Sequence, residues 1–178
     1  MSGPVFRLEP LAEQHLDAVA QIVLDPDVRR FTRFPDPPDP AFPARWIARY
    51  TTGRVDGTCE AFAAIGDDGR FLGTGLAPRI DRAARQLELG YLVAPAARGR
   101  GVASEILRRV TRWALHDQGA LRAELLVAID NVASQRVAER AGYVREGVLR
   151  SLHLKADLRG DTVVYSRLPT DPEPEAPA

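Results

Sequence analysis

Arg98-Gly99-Arg100-Gly101-Val102-Ala103 is the stretch on which the reading of this chain turns. Its two glycines let backbone N–H groups approach an anion closely, its two arginines add positive charge, and it runs into a helix whose first amides lack internal partners. Such a turn predicts a cradle for a diphosphate. Before it, Gln86-Leu87-Glu88-Leu89-Gly90-Tyr91-Leu92-Val93 alternates in part and carries side chains that suit a strand, which Pro95 closes. After it, Val102, Ala103, Ile106, Leu107, Val110, Trp113 and Ala114 recur at helical spacing, opposite Glu105, Arg108, Arg109 and Arg112, with Gly119 as the stop.

Two other nucleotide readings compete with this one. The P-loop needs Lys followed by Ser or Thr after its second glycine, and no such pair is present. The dinucleotide fingerprint G-x-G-x-x-G fits Gly99 and Gly101 but puts Ser104 at the third position, where close helix-to-strand packing wants the smallest residue. The plain alternative is an ordinary glycine-containing turn with solvated arginines.

Bulk properties narrow the class. A chain of 178 residues fits one core and buries roughly 70% of its unfolded surface without a disulfide or metal. One domain is expected over 1–168, and the Pro-, Glu- and Asp-rich residues 169–178 read as a disordered tail. Cys59 is the only cysteine and lies in the apolar run 59–65, so it reads as a packed thiol in a reducing compartment. Twenty-four basic and twenty-four acidic side chains cancel, which leaves no global field for nucleic acid. There is no leader-like N-terminus and no apolar run near the ~20 residues that span a bilayer. The expectation is a soluble cytoplasmic protein with neither nucleic acid nor membrane as partner. His15, His116 and His153 make no ligand spacing with Cys59, so no metal is expected.

Along the chain, Phe6-Arg7-Leu8 starts a short strand, and residues 11–24 set Leu16, Val19, Ala20 and Val23 on one helical stripe that Asp25-Pro26 ends. Residues 34–43 hold five prolines and read as a stiff extended loop. A helix from about Ala44 buries Trp46, Ile47 and Tyr50. Residues 58–65 and 70–80, joined by Gly66-Asp67-Asp68-Gly69, form a hairpin, with 86–93 as the next strand. A helix from 101, a strand at 122–129, a helix at 134–140 and strands near 143–153 and 161–168 complete the order.

Arg98-x-x-Gly101-x-Ala103 resembles the pyrophosphate-binding motif Q/R-x-x-G-x-G/A of the GCN5-related N-acetyltransferase (GNAT) superfamily. Leu87-Glu88-Leu89-Gly90-Tyr91 and Asn131-x-x-Ser134-x-x-Val137-Ala138-Glu139-Arg140-Ala141-Gly142-Tyr143 resemble segments of its ribosomal-protein N-terminal acetyltransferase (RimJ/RimL-type) branch, and Glu146 to Arg150 and Arg159 to Ser166 continue the likeness. The resemblance implies an α/β (α+β) fold in one domain: a mixed, mostly antiparallel sheet splayed between two central strands, here 86–93 and 122–129, with helices on both faces. It also implies acetyl-CoA as cosubstrate, its pantetheine arm against the backbone of Tyr91, Leu92 and Val93, its phosphates at Arg98, Gly99, Arg100, Gly101, Val102 and Ala103, and Asn131 as a further contact. Side-chain identity at Tyr91 to Val93 carries no information on that reading.

Acetyl transfer to an amine needs a neutral nitrogen, a stabilised thioester oxygen and a proton for the departing thiolate. Glu88 projects to the face opposite Leu87 and Leu89 and is the candidate base; its alternatives are a solvated carboxylate or a partner for Arg85. Ser134, at the start of a helix, is the candidate acid, a role the resemblance also implies, since the tyrosine that many superfamily members place at the position of Ala138 is missing. Ser134 and Asn131 also read as helix caps. Trp46 and Tyr50 read either as core or as walls of the acceptor pocket, and Asp25, Asp27, Asp36 and Asp39 either attract a cationic acceptor or face solvent. The acceptor is a protein N-terminal α-amine or a small amine. An α-amine, with a pKa near ~8, is the easier nucleophile. Edge strands near the C-terminus leave room for a homodimer. A coenzyme A-binding sensor without turnover is the alternative function.

Overall fold

In the computed structural model, which describes residues 4–155 and 158–174, seven strands form: β1 (Phe6–Pro10), β2 (Glu60–Gly66), β3 (Phe71–Asp81), β4 (Gln86–Val93), β5 (Arg122–Ala128), β6 (Val144–Lys155) and β7 (Leu158–Arg167). Five helices accompany them: α1 (Leu16–Leu24), α2 (Pro26–Phe31), α3 (Phe42–Asp56), α4 (Val102–Arg112) and α5 (Val132–Arg140). The strands make one sheet in the order β1-β2-β3-β4-β5-β7-β6. Every neighbouring pair is antiparallel except β4 and β5, which are parallel. Among the described residues no helix is long and apolar enough to cross a membrane.

The parallel pair is short. It runs only from Gln86 opposite Arg122 to Leu89 opposite Leu125. Beyond that point each strand follows its antiparallel neighbour: Gly90 to Val93 stay on β3, and Leu126 to Ala128 stay on β7. The sheet therefore splits along the β4–β5 seam, and the expected splay is present.

Alternation along the strands sorts the two faces. Leu87, Leu89, Ala123, Leu125, Val163 and Tyr165 join residues of α4 and α5 in one core cluster. On the other face, Ala61, Ala63, Ile65 and Leu92 pack under α1, α2 and α3, and no residue of β5, β6 or β7 belongs to that second cluster. Three helices thus cover half of this face, and among the described residues no helix roofs the half beyond β4. Gly75 of β3 lets α4 lie close, since a Cβ there would come within 2.4 Å of Val110 Cγ1.

Several boundaries differ from the sequence reading. Residues 26–31, for which the sequence predicts no element, form α2: Asp25 ends α1 but also caps the next helix by accepting from the Val28 amide at 3.0 Å. Pro43 stands inside α3, which begins at Phe42 rather than Ala44, because a first-turn proline forgoes only an amide with no helical partner. Helix α4 continues into a π-helical turn at Trp113–Asp117, and α5 begins two residues before Ser134. The start of the expected tail folds back, with Arg167 donating to the Pro172 carbonyl at 2.9 Å. Residues 175–178 of that tail lie outside the described residues.

Candidate active site

The split is the candidate site, and three elements bear on it. From below, the last paired residues of the seam put Glu88 beside Glu124. Glu88 is half-buried on the face opposite Leu87 and Leu89 and takes a loose ion pair from Arg79 at 3.7 Å, while the same guanidinium reaches Glu124 at 3.7 Å. Burial pushes the Glu88 carboxyl above its ordinary range; Arg79 opposes the rise and Glu124 adds to it. Glu124 in turn meets Arg122 at 3.1 Å, and Arg122 pairs with Glu146 at 2.6 Å. Ser166 donates to Glu146 at 2.6 Å, and with Arg122 it holds that carboxyl down at about 2. A row of paired charges therefore floors the open face across β3, β4, β5, β7 and β6. Arg85, the alternative partner for Glu88, is engaged elsewhere and donates to the Gly119 carbonyl at 2.6 Å.

At the mouth of the split, α5 follows β5 directly. Asn131 caps it, accepting from the Ser134 amide at 3.1 Å. That satisfies one of the helix's free amides and leaves the Ser134 hydroxyl available. The hydroxyl is not idle: the Tyr91 hydroxyl, from the unpaired half of β4, lies 2.7 Å from it. Burial pushes the Tyr91 phenol up to about 12, against the pull of Ser134. The capping alternative thus describes Asn131, whereas Ser134 turns its oxygen into the split.

The third element is the turn before α4. Gly99 and Gly101 have φ of 73° and 75°, in the left-handed region that favours glycine. A Cβ at Gly99 would meet nothing within 4 Å, and one at Gly101 only Pro4 Cδ at 3.8 Å, so the outer side of the turn is open. Gly101 is the N-cap of α4 and no side chain caps the helix among the described residues, which leaves its first amides to an external acceptor. Arg98 is committed: it binds Asp25 at 2.8 Å and Asp27 at 3.2 Å and so ties the turn to α2. Arg100 is exposed.

Residues 6–144 match the acetyltransferase (GNAT) domain family. The chain belongs to that family. Relatives of this GNAT domain include an uncharacterized N-acetyltransferase, YoaA, of Bacillus subtilis strain 168, 35% identical over 82 residues that make up 46% of this chain and 46% of the relative. A ribosomal-protein-serine acetyltransferase of Escherichia coli K12 is 27% identical over 90 residues, 51% of this chain and 50% of the relative. The chain spans about half the length of the curated relatives it matches. The fold is similar to that of RimL, a ribosomal L7/L12 alpha-N-protein acetyltransferase solved in complex with coenzyme A, at a TM-score of 0.82 and 19% identity over 92% of this chain and 93% of that one.

Within the GNAT frame the sequence candidates separate. Glu88 lies at the base of the split and Tyr91, Ser134 and Asn131 at its mouth, while the 98–103 turn follows β4 into α4. Trp46 and Tyr50 do not offer the acceptor an exposed wall: both are buried in the second core cluster, edge to face at 5.0 Å between ring centroids, with Phe34 against Trp46. Their stripe on α3 points into the core, which is the packing alternative. The four loop aspartates are also spoken for, since Asp25 and Asp27 bind Arg98, Asp36 binds Arg29 and Asp39 binds Arg45. Each aspartate thus has an arginine partner, with Asp25 and Asp27 sharing one, and this pairing favours a role in holding the loop over an acidic lure for a cationic acceptor. Sequence reasoning missed the Tyr91 side chain; its one signal was an aromatic hydroxyl on a strand segment expected to lose its neighbour.

Proposed function

We propose that this GNAT domain is an acetyl-CoA-dependent N-acetyltransferase in which a primary amine attacks the thioester directly. The observation that carries the reading is the split seam itself: a half-buried carboxylate at its base, a hydrogen-bonded serine at its mouth and an uncapped helix beside it. The open turn at Gly99 and Gly101 and the free first amides of α4 fit a diphosphate, and the unpaired edge of β4 at Gly90 to Val93 fits an amide-bearing arm. Acetyl-CoA, once bound, supplies the activated acetyl group.

The residues divide the remaining work. Glu88 takes the proton from the ammonium of the acceptor, and its raised proton affinity suits a base that works near neutral pH. Glu88 passes that proton on to water; the nitrogen then bonds to the acetyl carbon, loses its second proton to Glu88 or water, and the carbon–sulfur bond breaks. Ser134 donates its hydroxyl proton to the departing sulfur and is reprotonated through the Tyr91 hydroxyl or water. The N-terminus of α5 favours the negative charge that builds on sulfur.

Incubation with acetyl-CoA and a panel of short peptides, polyamines and aminoglycosides, with thiol release as the signal, tests the reading. Amine-dependent release supports it. Binding of coenzyme A without release on any amine contradicts it and favours a sensor.

A further inference from the structure

We propose that the acceptor carries an anionic group, a carboxylate or a phosphate, close to its amine, and that Arg49 and Arg79 hold this group in the groove between α3 and β3. The inference rests on the acetyl-transfer reading above. A groove of about 480 Å³ opens there, lined among others by Arg49, Thr52, Thr58 and Arg79. Arg79 lines this groove and also stands 3.7 Å from Glu88, so one guanidinium faces both the groove and the candidate base.

The charge balance around the groove is positive. All four aspartates of the segment between α1 and α3 are bound to arginines, so none is left for a second ammonium. Arg49 donates to the Pro78 carbonyl at 2.9 Å and lies over the Tyr50 ring, but no carboxylate stands within salt-bridge reach of it among the described residues. Arg33 is exposed and equally without such a partner among them, and the charges of Arg33, Arg49 and Arg79 all bear on Glu88. Arg79 is 59% exposed and its contacts with Glu88 and Glu124 are longer than hydrogen bonds. An ammonium arriving at Glu88 competes for that carboxylate and frees Arg79 to turn toward the groove. Asp56 is the one carboxylate in the lining, against two guanidiniums. Thr52 and Thr58 add hydroxyl donors, and a guanidinium pair with threonine hydroxyls suits the oxygens of a carboxylate or phosphate.

The test compares kcat/KM for matched amines. One pair is a peptide beginning Ser-Asp-Asp against one beginning Ser-Lys-Lys; the other is phosphoethanolamine against ethanolamine, and the relative size of the two preferences distinguishes carboxylate from phosphate. The expected preference is about tenfold or more for the anionic member of at least one pair, in line with a charge-assisted hydrogen bond, and it shrinks at high salt. Arg49→Glu and Arg79→Glu should abolish or invert it. Coenzyme A affinity in the same variants reports on folding, and Arg49→Gln, at an exposed position, carries the test should the charge reversals lose that affinity. Equal or better use of the cationic and neutral members, or a preference that survives both reversals, overturns the inference while leaving acetyl transfer standing. Absence of thiol release with every amine instead overturns the reading on which it rests.

Discussion

Glu88 combines two opposing demands in one carboxyl. Burial raises its proton affinity, and the same burial strengthens its reach for an ammonium proton. Because the base must be ionised, turnover should fall as pH drops through the raised pKa, and this acid limb should lie above the ordinary carboxylate value of 4.5. Glu88→Gln is expected to remove the limb and to lower kcat/KM by about 10²- to 10⁴-fold at pH 7; a retained limb in a pH–rate profile would assign it to another group. Linkage gives a second sign. A pKa raised by folding contributes stability below the unfolded value that is lost as pH rises through the folded one, so Glu88→Gln should melt higher than the parent at pH 8. The Tyr91–Ser134 pair permits a separate test. Ser134→Ala and Tyr91→Phe should both lower kcat with KM for the acceptor little changed, Ser134→Ala more strongly, at a stability cost of about 0.5–1.5 kcal/mol. A chemical denaturation series alongside the kinetics separates the two effects. Glu88 and Ser134 were legible in the sequence because strand alternation and a helix start fix where such side chains lie. The partners of Arg98, which bind across more than seventy residues of chain, were not, since no local pattern encodes them.

At the scale of the element, the turn before α4 joins conformation to charge. Both of its glycines occupy the left-handed region, and Gly101 is the N-cap. Gly101→Val places a β-branched side chain at φ 75°, a conformation that costs about 1–2 kcal/mol for an L-residue, and sets its methyls on the open side of the turn. The chain should still fold, with a melting temperature a few degrees lower, and should lose coenzyme A affinity by at least an order of magnitude; wild-type affinity in a folded variant would show that the first amides of α4 hold nothing. Element types read well from periodicity: the apolar stripe of α4 and the alternation of β4 are both strong, and both elements are found. Boundaries read less well for physical reasons. By sequence Pro26 and Pro43 end or exclude helix, yet each sits in a first turn, where its missing amide hydrogen costs little.

Across the whole molecule, the sheet is one surface with two fates. Its β1–β4 half is covered on both faces, and the half beyond β4 is covered by α4 and α5 on one face only. The open face is paved with paired charges from Arg79 to Glu146, which keeps it polar while Glu88 and Glu124 stay partly buried. Helix α4, whose first turn adjoins the candidate diphosphate cradle, packs closely on β3. Gly75→Ala would drive a methyl to 2.4 Å from Val110 Cγ1 and 3.1 Å from Ile106 Cγ2, and stiff β-branched side chains in a full core give way poorly. A loss of about 1–3 kcal/mol is expected in urea unfolding, with coenzyme A affinity weakened as the helix is pushed outward. The splay itself could not be read from composition or period, because it arises where β4 follows β3 and β5 follows β7; only the family resemblance pointed to it. The most direct test of the account is isothermal titration of the folded protein with coenzyme A and with acetyl-CoA. Saturable binding of both at a single site, lost in Gly101→Val, is the predicted result; a folded wild-type protein that gives no binding isotherm with either would contradict it.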